Sequence, residues 1–297
     1  MAELVRNTET INLVKEEKHS PWHEAWKSFK KNKLALVGAL IVLFFILLAI
    51  LAPLIAPSGV NEQVLADRLQ PPSLEHWFGT DDFGRDILTR VIYGARISLW
   101  VGFFAVMGSI VVGCGLGIIA GYYGRWVDTI ISRFFDIMLA FPSILLAIAI
   151  VAVLGPSLQN ALIAIAIINV PNFGRLIRSK VLSIKQEEYI MAAKAIGMKD
   201  NRILFHHILP NSIAPIIVQG TLAIATAIIE CAALGFLGLG AQPPAAEWGK
   251  MLADSRQFLI QAPWTMVFPG VAIMLTVLGF NLMGDGLRDA LDPRMKN

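Results

Sequence analysis

The chain has 297 residues, 56% of them hydrophobic and only 16% charged. A soluble domain carries about 25% charged residues, so the deficit excludes an ordinary soluble enzyme and points to an integral membrane protein. The net charge of +3 is unevenly placed, which speaks to membrane topology and not to a nucleic-acid partner.

Residues 1–19 are charged and poor in apolar side chains, which predicts a loosely ordered tail. Ser20-Pro21 reads as an N-cap followed by proline at the first helical position. Trp22, Ala25, Trp26 and Phe29 then recur at helical spacing opposite Lys27, Lys30 and Lys31. That stripe predicts a short helix in the membrane interface, with lysines toward anionic lipid; the other reading is a cytoplasmic helix packed on the protein. Residues 1–33 therefore form an N-terminal tail and interfacial helix. Their polarity gives no sign of a signal peptide.

The first span, Leu34 to Ile55, has 22 residues without a charge, about 33 Å at 1.5 Å per residue and enough to cross the hydrocarbon core. It makes residues 34–56 one unit. Residues 57–96, rich in Pro and Asp, read as an extracytoplasmic segment, and residues 97–287 as a core of five further spans. The second span, about 97–121, carries Gly102, Gly108, Gly113, Gly115, Gly117 and Gly121, which permit close helix contact. The third, about 129–153, is interrupted by Pro142, and the fourth, about 158–176, is bent by Pro171. The fifth covers about 212–234 and leaves through a flexible Gly235-to-Gly240 exit. The sixth covers about 265–284, and residues 288–297 form a tail. Cys114 and Cys231 lie far apart in apolar runs and read as core residues.

Six spans leave both termini on one side. The face holding residues 1–33, the 122–128 turn, residues 175–211 and the tail carries 18 Lys/Arg, against six on the other. Positive-inside places the termini and the 185–211 stretch in the cytoplasm.

That stretch, KQEEYIMAAKAIGMKDNRILFHHILPN, is the longest polar interruption in the second half. Glu188, Tyr189, Ala192 and Ala193 open a helical run that Gly197 breaks. Arg202 to Ile208 restarts an amphipathic run, which Pro210 and Asn211 stop. Two short helices about a glycine corner make a rigid knob outside the lipid, suited to docking. Tyr189, Ala192, Ala193 and Ile196 offer a small apolar face, and Glu187, Glu188, Lys194, Lys199 and Arg202 a polar rim.

The segment resembles the "EAA" loop of permease subunits of bacterial ABC importers: E-A-A, three residues, G, nine residues, I-x-L-P. Ala192, Ala193, Gly197, Leu209 and Pro210 stand at that spacing. Met191 stands where Glu is usual, with Glu188 three residues earlier, and His207 where Ile is usual. The block FGTDDFGRDILTRVIYGARISL, Phe78 to Leu99, is similar to the segment before the second span in C-type subunits of the peptide and nickel branch. The resemblance covers roughly residues 20 to 295. It implies an all-α integral membrane protein with the type I ABC importer permease fold: six transmembrane helices, an N-terminal interfacial helix and a two-helix cytoplasmic coupling loop. It further implies a multi-pass protein of the bacterial cell membrane, a second permease subunit in a heterodimer, two cytoplasmic ATP-binding subunits and an extracytoplasmic solute-binding protein. Glu188, Tyr189, Ala192, Ala193, Gly197, Arg202, Leu209 and Pro210 would couple to the ATPases. The substrate would be a di- or oligopeptide or a related small solute.

Ionisable residues within spans are functional candidates. Arg133 and Asp136, three apart, meet on one helix face and suit an ion pair more than a translocation role. Glu230 faces either the path or a partner subunit. Asp285 and Arg288 read as a cap on the inner end of the sixth span. The Gly79-to-Asp86 run of acids, glycines and Arg85 reads as a structural turn, because it lacks the strand–glycine–helix setting of a phosphate loop. Adjacent His206 and His207 point about 100° apart on a helix and do not converge on a metal. No G-x-x-x-x-G-K-[ST], H-E-x-x-H or G-x-S-x-G motif occurs, so no nucleotide hydrolysis, other enzyme activity or cofactor is expected of this chain. The rival reading is a proton- or ion-coupled carrier or membrane enzyme using Asp136 or Glu230.

Overall fold

The computed structural model describes residues 21–291, and every regular element among them is helical. The expectations for residues 1–19, Ser20, the Trp22 side chain and residues 292–297 lie outside the described residues. Helix α1 (Pro21–Lys31) buries Ala25 and Phe29 and leaves Trp26 outside, with the Lys30 ammonium 5.0 Å from the Trp26 ring centroid. One face thus packs on the protein, while the other carries Trp26 and the lysines outward.

Helix α2 (Lys33–Ile55) starts where the Asn32 side chain accepts N–H bonds from Leu34 and Ala35, both 3.1 Å. Leu40, Phe44, Leu47, Ile50 and Leu54 project outward, as lipid contact requires. Ala35, Gly38 and Val42 instead face α11 (Trp264–Leu291). Helix α11 runs past residue 284, which puts Asp285 inside it and Arg288 in its last turn, where a cation suits the negative end of the helix dipole. Asp289 accepts a hydrogen bond from the Asn32 amide at 3.4 Å, tying the two helix ends together.

Helix α3 (Ile87–Tyr123) begins well before residue 97, because the Asp86 carboxylate caps it by accepting the Thr89 N–H at 2.7 Å. Its first turns carry Arg90 and Arg96, which a hydropathy reading does not register as span. The third span is two helices, α4 (Arg125–Ala140) and α5 (Ser143–Leu154), bent by 95°. Phe141-Pro142 forms the corner, where proline lacks an N–H and bars the α conformation in the residue before it. Helix α6 (Leu158–Ile184) continues beyond 176 with Pro171 inside it. After α6 come α7 (Glu188–Ala195), α8 (Asp200–Ile203), α9 (Leu209–Phe236) and α10 (Trp248–Ser255). Among the described residues five helices are long and apolar enough to cross a membrane, or six if α4 and α5 count as one span.

The most extensive helix contact is between α3 and α6. Gly113, Gly117 and Gly121, four apart, lie on one ridge of α3. A Cβ on them would come within 2.6 Å of the Val170 carbonyl oxygen, 2.4 Å of the Gly174 carbonyl oxygen and 2.9 Å of the Val181 Cβ. Small residues at that ridge let the backbones touch. The main core joins α3, α5, α6 and α9 around Phe173, Ile177 and Val181, and extends to Ile190, Ile203 and Ile208 of the 185–211 element. A second cluster at the opposite end packs Ile87, Val91, Trp248 and Met251 against Phe45.

Candidate functional site

The 185–211 element is built on a helix-terminating motif. At the end of α7, the Gly197 N–H reaches the Lys194 carbonyl and the Met198 N–H reaches the Ala193 carbonyl, both at 3.0 Å. That double bond pattern is a Schellman cap, which needs a left-handed residue at its corner. Gly197 supplies it with φ +80°. Nothing lies within 4 Å of where a Cβ would stand on Gly197, so the corner points away from the rest of the protein.

Pro210 does not stop the chain. Helix α8 passes through a π-helical turn, Leu204–Ile208, directly into α9, where the Leu209 N–H reaches back to the Leu204 carbonyl. Proline has no N–H, and its ring clashes with the carbonyl four residues earlier in an α-helix. The wider π turn makes room for it. The Asn211 amide compensates by donating to the His207 carbonyl at 2.6 Å.

Buried and exposed positions separate sharply here. Ile190, Ile203 and Ile208 are fully buried, each stabilising the element by about 2 kcal/mol in a water-facing setting. Ala193 is buried too, so it belongs to this inner face and not to the expected docking face. Outside stand Tyr189, Met191, Ala192, Ile196 and Phe205, with Ile196 80% exposed. Glu188, Arg202 and Pro210 are exposed around them, and Leu209 is half-buried. A concavity of about 460 Å³ opens beside the corner between Ile196, Met198, Asn201 and Arg202. Met191 and Phe205 belong to this outer face; only the burial pattern of the folded element assigns them to it.

The ionisable groups inside the spans fall into three separate sets that α6 has in common. Arg133 approaches Asp136 at 3.6 Å, as its spacing predicts, and Arg175 from α6 approaches the other Asp136 oxygen at 2.5 Å. All three are about half exposed or more. Farther along α6, Arg178 grips Asp128 of α4 through two donors. Glu230 is buried in α9, its carboxylate accepting from the Asn169 amide at 3.1 Å. Asn169, Asn172, Arg175 and Arg178 recur every three residues, so each neighbours the next on α6, while the row winds about half a turn round the helix from Asn169 to Arg178. That period is the signal for Arg175, Arg178 and Asn169, obscured when the fourth span is ended at 176. Exposed charges of this kind do not face lipid.

At the opposite end of the molecule the Gly79-to-Asp86 run is indeed a locally paired turn. Asp81 accepts from the Phe83 and Arg85 N–H groups and from the Arg85 guanidinium at 2.6 Å, while Asp86 meets His76 at 3.0 Å. Arg90, fully buried, stands 3.6 Å from Asp81 and donates to the Val60, Pro244 and Ala245 carbonyls. Near it the exit from α9 is packed, because Gly235 and Gly240 touch and Gly235 abuts the Glu247 carboxylate. Glu247 caps α10 by accepting the Gly249 and Lys250 N–H groups, both 2.8 Å. Among the described residues no group of three or more His, Cys, Asp or Glu could hold a metal ion, and His207 lies against Tyr189 with ring centroids 6.0 Å apart.

Burial pushes the Glu247 carboxyl up to about 7 from its ordinary 4.5. The folded state then holds the proton more tightly than the unfolded chain, so stability falls as pH rises through that window and levels off above it. The melting midpoint of purified protein should drop between about pH 5 and about pH 8, and Glu247→Gln should flatten that part of the profile. A profile unchanged by the substitution would assign the pH dependence to other groups.

Residues 113–297 match the family described as the inner-membrane component of binding-protein-dependent transport systems. Residues 20–72 match the N-terminal transmembrane domain of oligopeptide transport permease C. The chain is 72% identical over 278 residues to the dipeptide transport system permease protein DppC of Alkalihalophilus pseudofirmus, covering 94% of this chain and 91% of that one. It is 50% identical over 286 residues to the glutathione transport system permease protein GsiD of Escherichia coli, covering 96% and 94%. An inward-facing structure of the MetNI methionine ABC transporter shares the fold, with TM-score 0.56 and 18% identity over 69% of this chain and 98% of that one. With five apolar helices among the described residues long enough to cross a membrane, a sixth crossing if α4 and α5 form one span, and the 185–211 element before α9, the chain belongs to the inner-membrane permease components of binding-protein-dependent ABC transporters, in the dipeptide and oligopeptide branch.

Proposed function

We propose that this chain forms half of the path by which an ATP-driven importer carries small peptides, and that the 185–211 element is its seat for cytoplasmic ATPase subunits. The observation that carries the reading is the exposed apolar cluster of Tyr189, Met191, Ile196 and Phe205 on a capped corner whose inner side is locked into the transmembrane core. Such a cluster outside lipid marks a protein interface. The lock makes it a lever. ATP hydrolysis belongs to the partner chains, a second permease subunit completes the path, and an extracytoplasmic binding protein delivers the substrate. The termini and the 185–211 element lie in the cytoplasm. The exposed Asn172, Arg175, Asp136 and Arg133 face the water-filled path between the two permease subunits. The peptide substrate follows the two relatives named for dipeptide and glutathione transport.

The test is co-purification from the native host. Gly197→Asp places a charge on the outward corner and forces a side chain into a left-handed conformation, which costs about 1–2 kcal/mol. Wild type should bring down ATPase subunits and Gly197→Asp should lose them, with the monomer still monodisperse in detergent. If well-folded wild type brings none, the coupling role is wrong and a carrier using Asp136 or Glu230 becomes the better reading.

A further inference from the structure

We infer that Tyr122, the penultimate residue of α3, is the latch through which the 185–211 element moves the second span. The inference rests on the coupling reading above. The element is joined covalently to α6 and α9, and the chain gives it no covalent link to α3. Four contacts converge on Tyr122 instead. Its hydroxyl donates to the Asp200 carboxylate at the start of α8. Its carbonyl accepts from the Lys185 ammonium at 2.5 Å. The Lys185 and Lys194 ammoniums lie 5.5 Å and 5.1 Å from its ring centroid, within the range of cation–π attraction. The side chain itself is nearly fully buried. Residues before α7, within α7 and at the start of α8 are thus held by one aromatic residue of a different span.

What the latch moves follows from the rest of α3. The helix has 37 residues, about 55 Å at 1.5 Å per residue. Its other end holds the Arg90 contacts to the Val60, Pro244 and Ala245 carbonyls. There too the Trp248 indole N–H donates to the Val91 carbonyl at 3.0 Å. A shift of the 185–211 element therefore reaches the layer of residues 57–86 and 241–263 along one continuous helix. Tyr122 is a positioning residue: it touches neither substrate nor nucleotide, and acts through α3.

The test uses the assembled complex in lipid nanodiscs with Tyr122→Phe, Asp200→Ala, which removes the acceptor, and the double variant. Phenylalanine keeps the ring and its lysine contacts and removes only the hydrogen bond to Asp200. The readout is ATP hydrolysis with dialanine-loaded binding protein divided by hydrolysis without it, alongside ATPase recovery and melting midpoint. Loss of one hydrogen bond to a charged group should lower that ratio on the order of ten-fold, with recovery and midpoint held. The double variant should fall no further than either single one, because both remove the same bond. A wild-type ratio in Tyr122→Phe, or losses that multiply in the double variant, would overturn the latch alone. A wild-type chain that recruits no ATPase would overturn the coupling reading and the latch with it.

Discussion

Replacing Gly117 by leucine is expected to abolish recovery of folded protein, while the same change at Gly115, two residues away, is tolerated. A Cβ on Gly117 would stand 2.4 Å from the Gly174 carbonyl oxygen, with the Gly174 carbonyl carbon and Cα both at 3.1 Å. Those neighbours are backbone, so no rotamer change relieves the clash and α3 must separate from α6. Overpacking a core that can adjust costs about 1–3 kcal/mol; here the adjustment is loss of the main helix seam, and the cost exceeds that range. Gly115 meets nothing within 4 Å, so its leucine projects freely. Size-exclusion profiles of the detergent-solubilised variants measure the difference. Equal recovery of the two would show that the seam is not a close backbone contact.

The second large effect is expected at Trp248→Ala, at about 3–5 kcal/mol of stability. Trp248 is fully buried, its ring edge-on to Phe45 at 5.8 Å, and its indole N–H donates to the Val91 carbonyl. A Cβ on Gly94 would stand 2.5 Å from the ring, so α3 is shaped to receive it. Alanine leaves a ring-sized cavity between α10 and α3. Phenylalanine restores most of the volume and forgoes only the hydrogen bond, worth about 1 kcal/mol. Faster hydrogen exchange should appear in residues 57–86 and 241–263, with the 185–211 element unchanged, because its core is the separate cluster around Phe173. If exchange rose equally in both places, the two clusters would be one cooperative unit.

Much of this molecule was readable from residue order alone. An uncharged run as long as Leu34 to Ile55 has no favourable state outside a bilayer, so membrane insertion follows from composition. Gly197 also needed no tertiary information, since a glycine ending a helical run marks a left-handed corner by local sterics. The local pairing of Asp81 with Arg85 and of Arg133 with Asp136 followed from spacing.

Tertiary packing decided the rest, for reasons that can be named. Helix α3 starts at Ile87 because the Asp86 cap and a buried Arg90 outweigh the polarity of its first turns, and Arg90 is tolerable there because the Asp81 carboxylate and distant carbonyls from Val60, Pro244 and Ala245 receive it. Pro210 lies within a continuous helical path because the chain widens to a π turn, a local cost offset by burying Ile203 and Ile208. Ala193 turned inward and Met191 outward because α7 is oriented by burying Ile190 in the main core, which no periodicity over eight residues can specify. The pairs Glu230–Asn169 and Arg175–Asp136 need three helices side by side. Residue order determined which segments cross the membrane and where the chain must turn, since these depend on each segment's own solvation and sterics. Which charges meet, and which face of the 185–211 element is left for a partner, depended on contacts between residues far apart in the chain.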